Sequence, residues 1–124
     1  MTIRYDLGLD PRRPVVSGDS FAIATTVVTD RDRTPQNLTS ATATYAVYDL
    51  DPDTGVAVTQ QFQKTVGSGI ALTDTSAGLL TVTVLGSNTA SLGGDYFHEL
   101  ELTIGSTIQT VFFGTLRLRI DAIT

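Results

Sequence analysis

The sequence predicts an all-β domain, and three observations carry that expectation. Apolar and polar residues alternate with a period of two through most of the chain, the pattern of strands buried on one face. Turn signals built from Gly, Asp, Asn and Pro recur about every ten residues, the spacing of a sandwich or barrel. No stretch carries the 3.6-residue apolar period of a long helix. About seven to eight antiparallel strands are expected, with at most one short helical turn near residues 88–91.

The elements follow in order. Residues 1–14 read as an N-terminal arm or first strand, and residues 15–124 as the β-sandwich domain. In the arm, Ile3, Tyr5, Leu7 and Leu9 share one parity against Arg4, Asp6 and Gly8. Asp10-Pro11-Arg12-Arg13-Pro14 then stops regular pairing, because proline lacks an amide donor and stiffens its neighbour into an extended form. After a turn at residues 15–20, Phe21, Ile23, Thr25 and Val27 alternate with Ala22, Ala24, Thr26 and Val28, giving a strand. Residues 30–37 are a polar loop. Residues 39–50 are a strand with Ala41, Ala43, Tyr45 and Val47 on one face.

Asp51-Pro52-Asp53-Thr54-Gly55 is a turn, and residues 56–65 are a strand of mixed polarity, expected near an edge or half exposed. Gly67-Ser68-Gly69 breaks the chain before the short segment Ile70-Ala71-Leu72. A turn at residues 74–78 leads into residues 79–85, where Leu80, Val82 and Val84 form the core set. The clearest element is the terminal hairpin. Tyr96, His98, Leu100, Leu102 and Ile104 alternate with Phe97, Glu99, Glu101 and Thr103; Gly105-Ser106 turns the chain and residues 107–120 return. Gly114 reads as a bulge or bend in that closing strand. A chain that ends on its best strand is expected to be a complete small β-domain.

Composition narrows the function. A chain of 124 residues fits one domain and buries roughly two-thirds of its unfolded surface, so it folds without staples. It has no cysteine, hence no disulfide framework and no thiolate metal site. The net charge of −5 and pI near 4.5 oppose binding to a phosphate backbone, so no nucleic-acid partner is expected. No apolar run approaches the ~20 residues of a membrane-spanning helix. Residues 1–6 lack the apolar segment of a secretory leader, which places synthesis in the cytoplasm of the producing cell.

Few residues offer chemistry. Asp49, Asp51 and Asp53 before Gly55 are spaced like oxygen ligands in a calcium loop. Thr54, however, stands where such a loop needs its sharp-turn glycine, and Gln60 stands where a bidentate carboxylate belongs. A hairpin turn with Asp side chains capping backbone donors is the better reading. His98, the single histidine, has no second ligand beside it and reads as a packed or half-exposed strand residue. No serine sits in a nucleophile-elbow setting. Gly67-Ser68-Gly69 lacks the third glycine and helix of a dinucleotide fingerprint. Asn37-Leu38-Thr39 matches a glycosylation acceptor, which means little without secretion. Arg31-Asp32-Arg33 is a self-compensating loop whose surface pairs add little. No catalytic, cofactor or metal site is therefore assigned, and no enzyme is expected.

The arm offers the one candidate partner site. Ile3, Tyr5 and Leu7 could add a strand to a neighbour's sheet edge, with Arg12 and Arg13 alongside. The alternative is an ordinary first strand folded on its own domain; alternation alone does not separate the two.

Several motifs, taken in order, resemble a known family. They are Gly18-Asp19-Ser20-Phe21; Asn37-Leu38-Thr39-Ser40-Ala41-Thr42; Gly78-Leu79-Leu80-Thr81-Val82-Thr83-Val84; Asn88-Thr89-Ala90-Ser91-Leu92; Gly94-Asp95-Tyr96 running to Leu102; and Phe113-Gly114-Thr115-Leu116-Arg117-Leu118-Arg119-Ile120. Their order resembles small tail-associated virion proteins of tailed bacteriophages, similar to the N-terminal β-sandwich of phage baseplate upper proteins. The likeness covers about residues 15–124, and Asn37 and Ser40 stand where Asp and Gly are usual. The resemblance implies an immunoglobulin-like sandwich acting in the virion as a non-enzymatic structural protein. It would be an adaptor in tail, baseplate or fibre attachment, with no catalytic residues to transfer. Other virion structural proteins are its implied partners, within a homo-oligomer or symmetric array. Two alternatives remain open. One is a capsid decoration protein that clamps neighbouring capsomers. The other is a carbohydrate-binding sandwich, for which Tyr48 and Phe97 are the aromatics expected to be exposed.

Overall fold

The computed structural model describes residues 3–6, 15–28, 33–51 and 53–119. It is nearly all β. The strands are β1 (Ile3–Asp6), β2 (Val15–Val16), β3 (Phe21–Val27), β4 (Thr42–Leu50), β5 (Ala57–Val66), β6 (Gly69–Asp74), β7 (Leu79–Val84), β8 (Gly94–Ile104) and β9 (Thr107–Arg119). One helical turn, α1 (Gly86–Thr89), precedes β8. It lies slightly earlier than residues 88–91, where the sequence places it. The strands form one hydrogen-bonded sheet in the order β1-β3-β7-β6-β5-β4-β8-β9-β2. The sheet curls so far that β1 returns to contact β9, giving a nearly closed, barrel-like body.

Most ladders are antiparallel as expected, with two exceptions. β2 runs parallel to β9, and β5 meets β6 in parallel over Thr65↔Gly69 and Val66↔Ile70 alone. β5 is therefore fully paired only on its β4 side. This explains its mixed polarity: much of it behaves as an edge, and Val58 is 62% exposed.

The inward parities read from the sequence fill the core. Ile23, Val27, Tyr45, Val47, Leu80, Val82, Val84, Leu100 and Leu102 are all buried in one cluster. Burying an apolar side chain of this size stabilises the fold by about 1.5–3 kcal/mol. Thr25 shares the inward parity of β3, and its hydroxyl is buried without a hydrogen-bond partner.

The position of the bulge in β9 corrects the sequence reading. Gly114 pairs in register with His98. The irregularity falls between Leu100↔Phe112 and Glu101↔Thr110, so Val111 is the extra residue. Val111 and Phe112 are consequently both buried, and the parity of the strand reverses across them. Ile108, even-numbered like the buried Phe112, Leu116 and Leu118, is turned outward and is 63% exposed. A bulge is set by cross-strand register, which β9's own alternation does not reveal.

Several of the motifs meet in space. At one end, the Gly18 amide donates to Thr89 Oγ1 at 3.0 Å and the Gly86 amide to Ser20 Oγ at 3.1 Å. The Ser17 hydroxyl also donates to the Leu92 carbonyl. A side chain at Gly86 would meet the Gly18 carbonyl, which lies 2.1 Å from its would-be Cβ. At the other end, Leu38 is fully buried and its amide donates to the Thr75 carbonyl at 2.9 Å. Asn37 Oδ1 accepts from the Thr39 amide at 2.8 Å, an Asx turn. Ser40 closes this turn in the left-handed region, at φ 64°, where glycine is preferred. Gly78 packs there too, at φ 71°, with its would-be Cβ only 2.3 Å from the Val27 carbonyl.

Two substitutions test this end of the fold. Ser40→Gly relieves a left-handed side chain and is expected to raise stability by about 0.5–1 kcal/mol, net of the added unfolded-state entropy. Gly78→Ala combines a left-handed backbone with a carbonyl clash and is expected to cost about 3 kcal/mol or more. Equilibrium urea denaturation measures both. A Ser40→Gly chain no more stable than the parent would show that the turn is not strained.

Candidate interaction surface

The strands β4, β8 and β9 place aromatic residues on both of their faces, and the two sets differ in chemistry. Inward, Tyr45 of β4 lies among Phe62 of β5, His98 of β8 and Phe112 of β9, at ring-centroid distances of 6.5, 5.7 and 6.1 Å. His98 and Phe112 are 5.3 Å apart. The Tyr45 hydroxyl and His98 Nδ1 are hydrogen-bonded at 2.9 Å in the buried core. Burial lowers the imidazole to about 4 and pushes the Tyr45 phenol above its ordinary value. Both groups are therefore neutral at pH 7, and each satisfies the other. His98 is a packed strand residue, 3% exposed, out of reach of any substrate.

Outward, Tyr48 of β4, Phe97 of β8 and Phe113 of β9 form a stripe across three strands. Tyr48 to Phe97 is 6.3 Å, and Phe97 to Phe113 is 6.3 Å. Tyr48 lies directly opposite Phe97, and Phe113 lies opposite Glu99, one step along the same face. Tyr48 and Phe97 are half-buried by their neighbours, whereas Phe113 is 69% exposed. Sequence parity points to Tyr48 and Phe97. Phe113 is harder to place, because the Val111 bulge alters which β9 residues face out; the directly visible signal is the run Val111-Phe112-Phe113, too apolar for a simple alternating strand.

Charges bracket the stripe. Glu99 and Glu101 lie on β8 beyond Phe97, with no ion pair among the described residues. At the other end, Arg117 Nε donates to Asp95 Oδ1 at 2.9 Å, and Nη2 to Oδ2 at 3.5 Å. That pair holds the guanidinium above its ordinary pKa, and it is exposed, so it adds little stability. Arg119 follows on β9. An open cleft of about 820 Å³ separates this corner from the β4–β5 turn at Leu50, Asp51 and Gly55.

The remaining candidates from the sequence find definite places. Ile3 and Tyr5 lie in β1, whose backbone pairs with β3 of the same chain, Ile3 opposite Val27 and Tyr5 opposite Thr25. Leu7, Arg12 and Arg13 lie outside the described residues. The calcium-like aspartates form a hairpin turn: Asp51 Oδ1 accepts from the Asp53 amide at 2.8 Å, and the Asp51 carbonyl accepts from the Gly55 amide at 2.7 Å. Among the described residues, no three His, Cys, Asp or Glu side chains converge as a metal site. No helix among them is long and apolar enough to cross a membrane. No known protein family matches the chain, and no curated protein matches it.

The buried imidazole makes stability depend on pH in a defined window. His98 is depressed in the folded state, so below its ordinary value near 6.5 the unfolded chain binds the extra proton. Its contribution is complete above pH 6.5 and is lost as pH falls towards 4. Between pH 7.5 and 5 the expected loss is about 2 kcal/mol. In His98→Asn, whose amide reaches the place of Nδ1, this loss should vanish even if overall stability is lower. Denaturant titrations at several pH values measure it; equal pH slopes for the two chains would contradict the assignment.

Proposed function

We propose that this chain is a non-enzymatic assembly protein of a tailed bacteriophage particle, an adaptor in tail, baseplate or fibre attachment. The observation that carries an assembly role is the Tyr48–Phe97–Phe113 stripe. Three aromatics on the outer face of a rigid, well-paired sheet make a contact surface that is held in place before any partner arrives. The order of the sequence motifs brings this role to a virion. Their meeting at the two ends of the sheet supports reading them as parts of one scaffold.

The fold supports an immunoglobulin-like reading as well. With β3, β4, β5, β6, β7, β8 and β9 taken as strands B, C, C′, D, E, F and G, the neighbours run B-E-D, then C′-C-F-G, with β1 beside B as strand A. Among the described residues, the two-residue parallel seam of β5 and β6 is the one ladder between the two layers. Tyr96, at the start of strand F, exchanges hydrogen bonds with the Gly93 backbone at 3.2 and 3.3 Å, the pattern of a tyrosine corner. His98, two residues on, stands where antibody domains carry the F-strand cysteine. Tyr45 stands on strand C, where they carry tryptophan. The Tyr45–His98 bond joins neighbouring strands C and F of one layer and does not cross the layers as the antibody disulfide does.

The same stripe gives the carbohydrate-binding reading its one supporting observation, since sugar rings stack on exposed aromatic faces.

Labelling the protein in intact particles of the producing phage and imaging them tests the proposal. Label at the tail or baseplate is expected. Label confined to capsid lattice sites would transfer the role to decoration, and absence from purified particles would overturn the virion reading. Saturable glycan-array binding lost on Tyr48→Ala or Phe97→Ala would favour the carbohydrate reading instead.

A further inference from the structure

The outer face of β4, β8 and β9 has a charge order that fits a second copy of itself. Successive outward residues of β8 are Asp95, Phe97, Glu99 and Glu101; those of β9, taken in the same direction, are Arg119, Arg117, Thr115 and Phe113. Arg117 is level with Asp95, Thr115 with Phe97, and Phe113 with Glu99. Tyr48 is level with Phe97 on the far side. Arg117 and Arg119 therefore lie at one end beside Asp95; Glu99 and Glu101, with no ion pair among the described residues, lie at the other; and Phe97 lies between.

A two-fold axis that crosses the strands at the level of Phe97 reverses this order. It brings Arg117 of one copy to the level of Phe113 and Glu99 of the other, and Arg119 to the level of Glu101. Each arginine then meets an aromatic face or a carboxylate, and the relation repeats in the opposite sense, as isologous contacts require. Packed sheets lie about 10 Å apart, a gap that an arginine and a phenylalanine span together. Cation–π contact and ion pairing would act on the same guanidinium.

We propose that this face forms a two-fold homodimer, with Phe97 at the level of its axis, Phe113 of each copy facing Arg117 of the other, and Arg117 and Arg119 set against Glu99 and Glu101 of the other. The proposal stands on the face itself and not on the virion assignment. Arginine serves better than lysine here, because its planar guanidinium stacks on a ring and pairs with a carboxylate at once. The chain's acidity limits association elsewhere on the surface, where like charges meet.

Sedimentation of the full chain tests it. At about 100 μM, where a small interface of micromolar affinity is occupied, the expected mass is twice the 13.2 kDa of one chain. Phe113→Ala removes a largely exposed ring and is expected to weaken the dimer by about tenfold or more, with little change in the melting temperature measured at concentrations where both chains are monomeric. The double variants E99R/E101R and R117E/R119E should each sediment as monomers. Mixed together they should form a one-to-one heterodimer, since every reversed charge then meets its opposite. A monomeric parent chain would overturn the proposal, as would a dimer indifferent to Phe113→Ala. Failure of the mixture to associate would overturn the two-fold charge pairing. Because the parent chain and Phe113→Ala retain all native charges, a folding defect in the charge-reversed variants leaves the test intact.

Discussion

The hydrogen bond between Tyr45 and His98 is the constraint on which the rest of the structure turns. It is a polar contact placed in the middle of an apolar core, 2.9 Å long, between a phenol and an imidazole that burial keeps neutral. Either group alone would leave an unsatisfied polar atom in the interior, at a cost of about 1–3 kcal/mol. Together they fix the register of β4 against β8, where Tyr45 pairs with Leu100 and Val47 with His98. Phe62 and Phe112 pack around the pair and extend the constraint to β5 and β9. A purely apolar cluster of this volume would tolerate small slips; a directional bond at its centre discriminates between registers.

The inner order determines what the outer face displays. Strand side chains alternate, so a register that buries Tyr45, His98 and Phe112 must expose Tyr48, Phe97 and Phe113 on the same three strands. A slip of one residue would exchange the two sets. The Val111 bulge belongs to the same arrangement. It resets β9 so that Phe112 faces the core and Phe113 faces out beside Glu99. The proposed assembly role therefore depends on the core chemistry, although the two surfaces share no atoms. Both the virion proposal and the dimer proposal use this face, but they are independent: a chain that pairs with itself need not be a phage component, and the reverse also holds.

Much of the fold was legible because burial imposes a simple period. The inward positions of β3, β4, β7 and β8 follow from alternation, and the turns at Asp51, Gly67 and Gly105 follow from residues that tolerate tight or left-handed backbone. What alternation does not encode is relational. The bulge sits at Val111 and not at Gly114 because cross-strand pairing, and not the glycine, decides where an extra residue is accommodated. The short parallel contacts of β2 with β9 and of β5 with β6 connect residues far apart or across a tight turn, and no local pattern marks them. The outer site was partly legible: Tyr48 and Phe97 follow from parity, whereas Phe113 depends on the bulge. The pairing of Tyr45 with His98 joins residues 53 positions apart and left no sequence signal beyond a shared inward parity.

The central claim is that this buried bond holds the register of the sheet. A double-mutant cycle on Tyr45→Phe and His98→Leu, read by equilibrium denaturation at pH 7.5, measures it most directly. A coupling energy of about 1–2 kcal/mol is predicted, because each single variant leaves a buried polar group unpartnered and the second substitution adds little to that loss. Additive effects, with no coupling beyond measurement error, would contradict the account and reduce the pair to two independent core side chains.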